Sequence, residues 1–123
     1  MKQFLLVFVG GGLGSGLRYL ISKSFNGYFQ HFYLGTFLVN MIGCLLIGLI
    51  LGISAKNNVF TENQTLLLAT GFCGGFTTFS AFAFEKHSLL SAGELVHFSI
   101  YTISSIAVGI FAVVVGLWLS KLA

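Results

Sequence analysis

Proline is absent from the 123 residues and charge is nearly so: three acidic and six basic side chains make up 7% of the chain, against 56% hydrophobic residues. A soluble domain carries about 25% charged residues, so nine charges cannot build a water-facing shell. The mean hydropathy of +0.96 says the same. Cysteine is scarce too. Cys44 and Cys73 both fall in apolar stretches, where they read as small packing residues and not as a disulfide or a metal site. Without proline and without a glycine period, collagen is excluded. What the chain has in excess is glycine, 16 residues, the residue that lets membrane helices bend and pack closely.

The net charge of +3 and pI near 9.1 do not mark a nucleic-acid binder. Lys2, Arg18, Lys23, Lys56, Lys86 and Lys121 are isolated beside hydrophobic segments and form no patch, so lipid headgroups are their expected neighbours. The sequence predicts four hydrophobic segments at about 4–21, 34–53, 66–84 and 96–119. Each is close to the roughly 20 helical residues that cross a bilayer. The linkers at 22–33, 54–65 and 85–95 are too short for a soluble domain, so the chain reads as one all-α membrane domain over 1–123. Residues 1–16 have the basic start of a signal peptide, but the apolar run outlasts the usual h-region, and the segment reads as a retained helix.

With four crossings, Lys2, Lys56 and Lys121 lie toward one side and Arg18, Lys23 and Lys86 toward the other. The positive-inside rule works through an imbalance of Lys and Arg, and this chain shows none. Insertion in both orientations follows as an expectation. Gly12 with Gly16 and Gly48 with Gly52 are four apart, the spacing at which another helix backbone approaches closely. A dimer is the simplest closed assembly.

Polar residues inside the spans carry the functional signal. In segment two Thr36 and Asn40 share a helix face, with Gly43 a turn further on. A buried amide needs a partner. Asn40 either locks packing through an interhelical hydrogen bond or lines a solute path. In segment three the Gly74-Gly75 pair followed by Thr77-Thr78 resembles a helix stop and a new N-cap, which predicts a break in mid-membrane. Carbonyls freed there suit a cation, and freed amides an anion. Phe79 and Phe82 are three apart, and a phenyl edge carries the positive part of the ring quadrupole. In segment four Tyr101, Ser105 and Gly109 follow one another at i, i+4, two hydroxyls and then space, while His97 reads as a headgroup neighbour.

No HExxH, phosphate loop, paired catalytic carboxylates or Ser/His/Asp set appears, and no domain could hold a nucleotide, so an enzyme is not expected. Glu62 falls in a loop, Glu85 at the end of segment three and Glu94 in a turn, so no carboxylate is expected within a span. A proton-coupled exporter of organic cations needs one there. Uncharged donors and ring edges point instead to an anion.

Gly11-Gly12-Leu13-Gly14-Ser15-Gly16-Leu17-Arg18-Tyr19, the stretch from Gly35 to Gly43, and Gly71-Phe72-Cys73-Gly74-Gly75-Phe76-Thr77-Thr78-Phe79-Ser80-Ala81-Phe82 resemble the signatures of the CrcB/Fluc family of microbial fluoride channels. The resemblance extends through Tyr101 and Ser105. It implies an antiparallel, dual-topology homodimer in the cytoplasmic membrane that exports fluoride passively and relieves its toxicity. By that resemblance Asn40, Phe79, Phe82, Tyr101 and Ser105 form the anion pathway. Backbone carbonyls of Gly74 and Thr77 from both subunits hold a structural Na+, and Arg18, Thr36 and Glu85 take vestibule or structural roles. Relatives often carry Ser or Thr where Gly109 stands. A small dual-topology exporter of another solute is the alternative, and a structural membrane oligomer the third.

Overall fold

The computed structural model describes residues 1–56 and 59–122. Asn57, in the linker after the second span, lies outside them. Among the described residues the fold is all-α, with four helical spans long and apolar enough to cross a membrane. Helix α1 is Lys2–Phe25 and α2 is Leu34–Ser54. The third span runs from Glu62 to Ser91 in two parts. Its first part, α3, is residues 62–76, and its second, α4, is Ser80–Ser91. Helix α5 is Leu95–Ser120.

Three of the expected segments differ from these helices only at their ends. The third differs in kind. Helix α3 opens with a reciprocal cap, in which the Gln64 N–H donates to Thr61 Oγ1 and the Thr61 N–H to Gln64 Oε1. Leu66–Cys73 then winds as a π-helix, a rare form that sequence periodicity does not announce. The chain bends at residues 77–79, with Thr77 extended at φ −87° and ψ 158°. The expected stop at Gly74-Gly75 is corrected: Gly74 is helical at φ −61° and ψ −39°.

Glycine in α3 serves packing instead. A methyl group on Gly75 would overlap the Gly11 carbonyl, and one on Gly14 or Gly10 would overlap the backbone of α3. Gly10 and Gly14 are therefore the buried glycines of α1, whereas Gly12 and Gly16 face outward with nothing near them. The other seam joins α2 to α5, where Gly48 lies on Val113, Gly116 on Leu45 and Leu49, and Gly52 on Ser120. Two helix pairs thus result, each drawn together by small residues where lipid gives no hydrophobic drive. Their outer surfaces, Phe4, Phe8 and Leu13 on α1 and Ile103, Ile110 and Phe111 on α5, are more than half exposed and apolar.

The expectation that all six basic residues meet headgroups also fails. Arg18 Nε donates to the Gly75 carbonyl at 3.0 Å. Lys56 Nζ caps α5 through the carbonyls of Ser120 and Lys121 at 3.1 and 3.2 Å. Lys86 is buried.

Candidate functional site

The bend is held open by side chains that take over backbone partners. Thr78 donates its N–H to Asn40 Oδ1 at 2.8 Å and receives Asn40 Nδ2 on its carbonyl at 3.2 Å. The Ala81 N–H turns to Thr78 Oγ1 at 3.2 Å, the role of an N-cap hydroxyl. In an unbroken α-helix the Thr78 N–H would bond the Gly74 carbonyl and the Ala81 N–H that of Thr77. Both donors have been diverted. Among the described residues no hydrogen bond reaches either carbonyl. These are the two carbonyls that the family resemblance assigns to Na+, and neutral oxygens without donors fit a hard monovalent cation. Gly75 is excluded from that role because its carbonyl is occupied by Arg18 and by Ser15 Oγ at 3.4 Å.

Beside the bend lies an open groove of about 440 Å³, bounded by Asn40, Gly43 and Cys44 of α2, Gly74, Thr77 and Thr78 at the bend, Phe79, Phe82 of α4 and Ser105 of α5. Thr77 fits there because Gly43 has no side chain; a methyl group on Gly43 would strike Thr77 Cγ2. Ser105 Oγ is buried and has no partner among the described residues, an unused donor at the groove wall. Asn40 spends one Nδ2 proton on Thr78, and an amide nitrogen carries two. Phe79 is 78% exposed and its ring centroid lies 6.1 Å from that of Phe82.

Behind Phe82 is a buried polar network. Glu85 accepts from Thr36 Oγ1 at 2.6 Å and from the Tyr101 hydroxyl at 2.7 Å. Asn26 holds Thr36 twice, accepting its N–H at 2.9 Å and donating to its hydroxyl at 3.3 Å. The Lys86 ammonium sits 3.5 Å from the Phe82 ring centroid and 3.4 Å from that of Tyr101, with no hydrogen-bond partner among the described residues. The two rings meet edge to face at 5.3 Å. Glu85 is therefore a carboxylate inside the third span, which corrects the expectation that none would lie there. Hydropathy drops at Glu85-Lys86, yet the helix continues to Ser91 because the pair is buried, the carboxylate by two hydroxyls and the ammonium by two ring faces.

The structure brings Asn40, Gly74, Thr77, Phe79, Phe82 and Ser105 to one groove, and Thr36, Glu85 and Tyr101 to the adjoining network. Arg18 lies apart, on the α1 side of the bend. Asn26 and Lys86 are the residues that sequence reasoning missed. Lys86 could have been found from its i+4 spacing to Phe82, whereas Asn26 sits in a linker with no signature. A further set capable of holding a cation, His31, Glu94 and His97, places its ligand atoms within 4.8 Å of one another. His97 thus meets side chains of its own chain, not headgroups alone.

These features define a multi-pass, all-α membrane protein whose third span bends around a polar, partly unpaired backbone. The sequence matches the family profile "CrcB-like protein, Camphor Resistance (CrcB)" over residues 5–117. It is 42% identical to a protein of Azobacteroides pseudotrichonymphae over 122 residues, covering 98% of both chains. It is 43% identical to one of Phocaeicola vulgatus, covering 98% of this chain and 100% of the other, and 45% identical to one of Gloeothece citriformis, covering 98% of each. All three relatives are named "Fluoride-specific ion channel FluC". The chain belongs to the CrcB family.

Proposed function

We propose that this chain is a fluoride-specific, passive ion channel, one domain over 1–123, that works as an antiparallel, dual-topology homodimer in the cytoplasmic membrane and exports fluoride. The observation that carries this reading is the end-to-end match to relatives named as fluoride-specific channels. The geometry supports it. A groove open on one side of a single chain becomes an enclosed path when a second copy covers it, and the three-to-three balance of basic residues in the sequence, which acts during insertion, suits copies of opposite orientation.

Within the path, the free Nδ2 proton of Asn40 and the unpartnered Ser105 hydroxyl replace part of the water around a small, strongly hydrated anion. Phe79 and Phe82 present ring edges. Lys86, seated on the faces of Phe82 and Tyr101, draws electron density from both rings and leaves their edges more positive. Glu85 fixes Tyr101 and Thr36 through two short hydrogen bonds and balances the Lys86 charge, so the network does not trap an anion. Gly74 and Thr77 carbonyls of two subunits would hold Na+, which supplies a fixed positive charge joining the copies.

Purified protein in liposomes tests this directly. With a potassium ionophore compensating charge, and with neither ATP nor a proton gradient, fluoride should leave far faster than chloride. Equal rates would reject selectivity. Because Glu85 lies inside the span, a proton-coupled carrier is the second reading, and flux that requires a proton gradient would establish it instead. Orientation is tested by Val59→Cys and Ala92→Cys reporters on a background lacking Cys44 and Cys73. Each should label from both sides of intact membranes; labelling from one side only would exclude dual topology.

A further inference from the structure

At the membrane-facing end where α1 leaves and α5 begins, three ligating side chains converge from two separate stretches of chain. His31 comes from the linker between α1 and α2, Glu94 from the turn before α5, and His97 from the first turn of α5. Gly93, the one positive-φ glycine among the described residues at φ 76°, sets the turn. The Gly93 N–H bonds the Leu90 carbonyl and the Glu94 N–H that of Leu89, a closed helix end that fixes where Glu94 points. Glu94 then reaches both imidazoles, Oε2 at 2.9 Å from His97 Nδ1 and Oε1 at 3.6 Å from His31 Nε2. The two rings lie 4.6 Å apart at 40°. All three side chains are partly exposed, and the site opens on a pocket of about 370 Å³ bounded by Phe29, Gln30 and Phe32.

We infer that His31, Glu94 and His97 bind a divalent ion of the Zn2+ class, about one per chain, and that the ion ties the α1–α2 linker to the start of α5. Two imidazoles and one carboxylate are a zinc-type ligand set with a position left for water. Ca2+ and Mg2+ demand more oxygen ligands than this site offers. Bonds of about 2.0–2.2 Å to a tetrahedral ion put ligand atoms roughly 3.4 Å apart. The atoms here already lie between 2.9 and 4.8 Å, so small ring rotations complete the site. The ion differs in kind from a cation held by carbonyls at the bend, since imidazole nitrogen selects borderline transition metals. His31 adjoins Phe32, whose ring meets that of Tyr101 edge-on at 5.0 Å, so the ion would stiffen the segment resting on the buried network. The inference does not depend on what the protein conducts.

The test uses tag-free, metal-stripped protein in detergent, titrated with Zn2+ against a chromogenic chelator. Wild type should bind about one Zn2+ per chain, and its thermal unfolding midpoint should rise with Zn2+. His31→Ala, Glu94→Gln and His97→Ala should each weaken binding at least about tenfold and abolish the rise. His87→Ala, which alters an exposed imidazole bonded only to Ser91, should bind as wild type does. Should an alanine variant fail to assemble, His31→Asn and His97→Asn give the same reading. No binding by wild type, unchanged binding in all three ligand variants, or equal displacement by Ca2+ would overturn the site.

Discussion

The two helix pairs use the same device for different ends. Along α2–α5 the glycines at 48, 52 and 116 bring two uninterrupted helices together, and apart from Ser120 the atoms they meet are aliphatic side chain and backbone. Along α1–α3 the glycines at 10, 14, 71 and 75 do the same, but the helix they hold is π-wound and then bent, with Asn40 and Arg18 occupying its backbone groups. The first pair is scaffold. In the second, close packing holds a backbone whose own hydrogen bonds are incomplete, and that incompleteness is the chemistry.

The largest effects should come from filling these seams. Gly75→Ala and Gly116→Ala each force a methyl group into facing backbone and should destabilise the protein by about 1–3 kcal/mol or more. Their consequences should part: per folded molecule, Gly116→Ala keeps near-normal flux while Gly75→Ala, which displaces the bend, does not. Matched chromatographic profiles and liposome flux per assembled protein check this, and equal losses in both would erase the distinction. Next comes Asn40→Ala. Stripping both Thr78 backbone groups of their partner should lower stability by about 1–3 kcal/mol together with flux. Gly74→Ala serves as its counterpart. A methyl group there has open room within the chain, its nearest neighbour the Ala69 carbonyl at 4.0 Å, so thermal unfolding of the monomer should not change while dimer assembly falls.

Phe79→Ile and Phe82→Ile keep apolar bulk but remove the ring edge, and should lower fluoride flux by about tenfold with the dimer intact. Phe82→Ile should also lower thermal stability, since it uncovers Lys86; Phe79→Ile should not. Near-normal flux in both would remove the rings from the pathway. Smallest is Gly109→Ser. The new Cβ would meet Met41 Cε at 3.5 Å and Cys44 Sγ at 3.7 Å, ordinary contacts, so flux and stability should stay within about twofold and 1 kcal/mol of wild type.

Hydropathy made the four spans legible because lipid demands a continuous apolar run, and the side chains of the groove were legible because polar groups in such runs stand out. The failures have a common cause. Glu85 and Lys86 looked like the end of a segment, since a sequence window registers charge but not the hydroxyls of Thr36 and Tyr101, 49 and 16 residues away, that bury it. Gly74-Gly75 looked like a stop because conformational freedom and close packing call for the same residue; only the neighbouring backbone at Gly11 tells them apart. Asn26 was invisible for the same reason, as its meaning lies wholly in Thr36.

The π-helical stretch at Leu66–Cys73 bears on how a chain of this kind tolerates insertions and deletions. A π-turn closes on the fifth residue where an α-turn closes on the fourth, so it stores an additional residue without interrupting the rod. Deleting one residue between 66 and 73 would leave a perfectly respectable helix of ordinary pitch. Everything beyond it, however, would be rotated by roughly 100°, one residue's share of an α-turn. Gly75 would no longer face Gly11, nor Thr77 the gap at Gly43. The length of this stretch is thus a phase setting, specified as strictly as any side chain, and a reading frame kept intact is no protection against losing it.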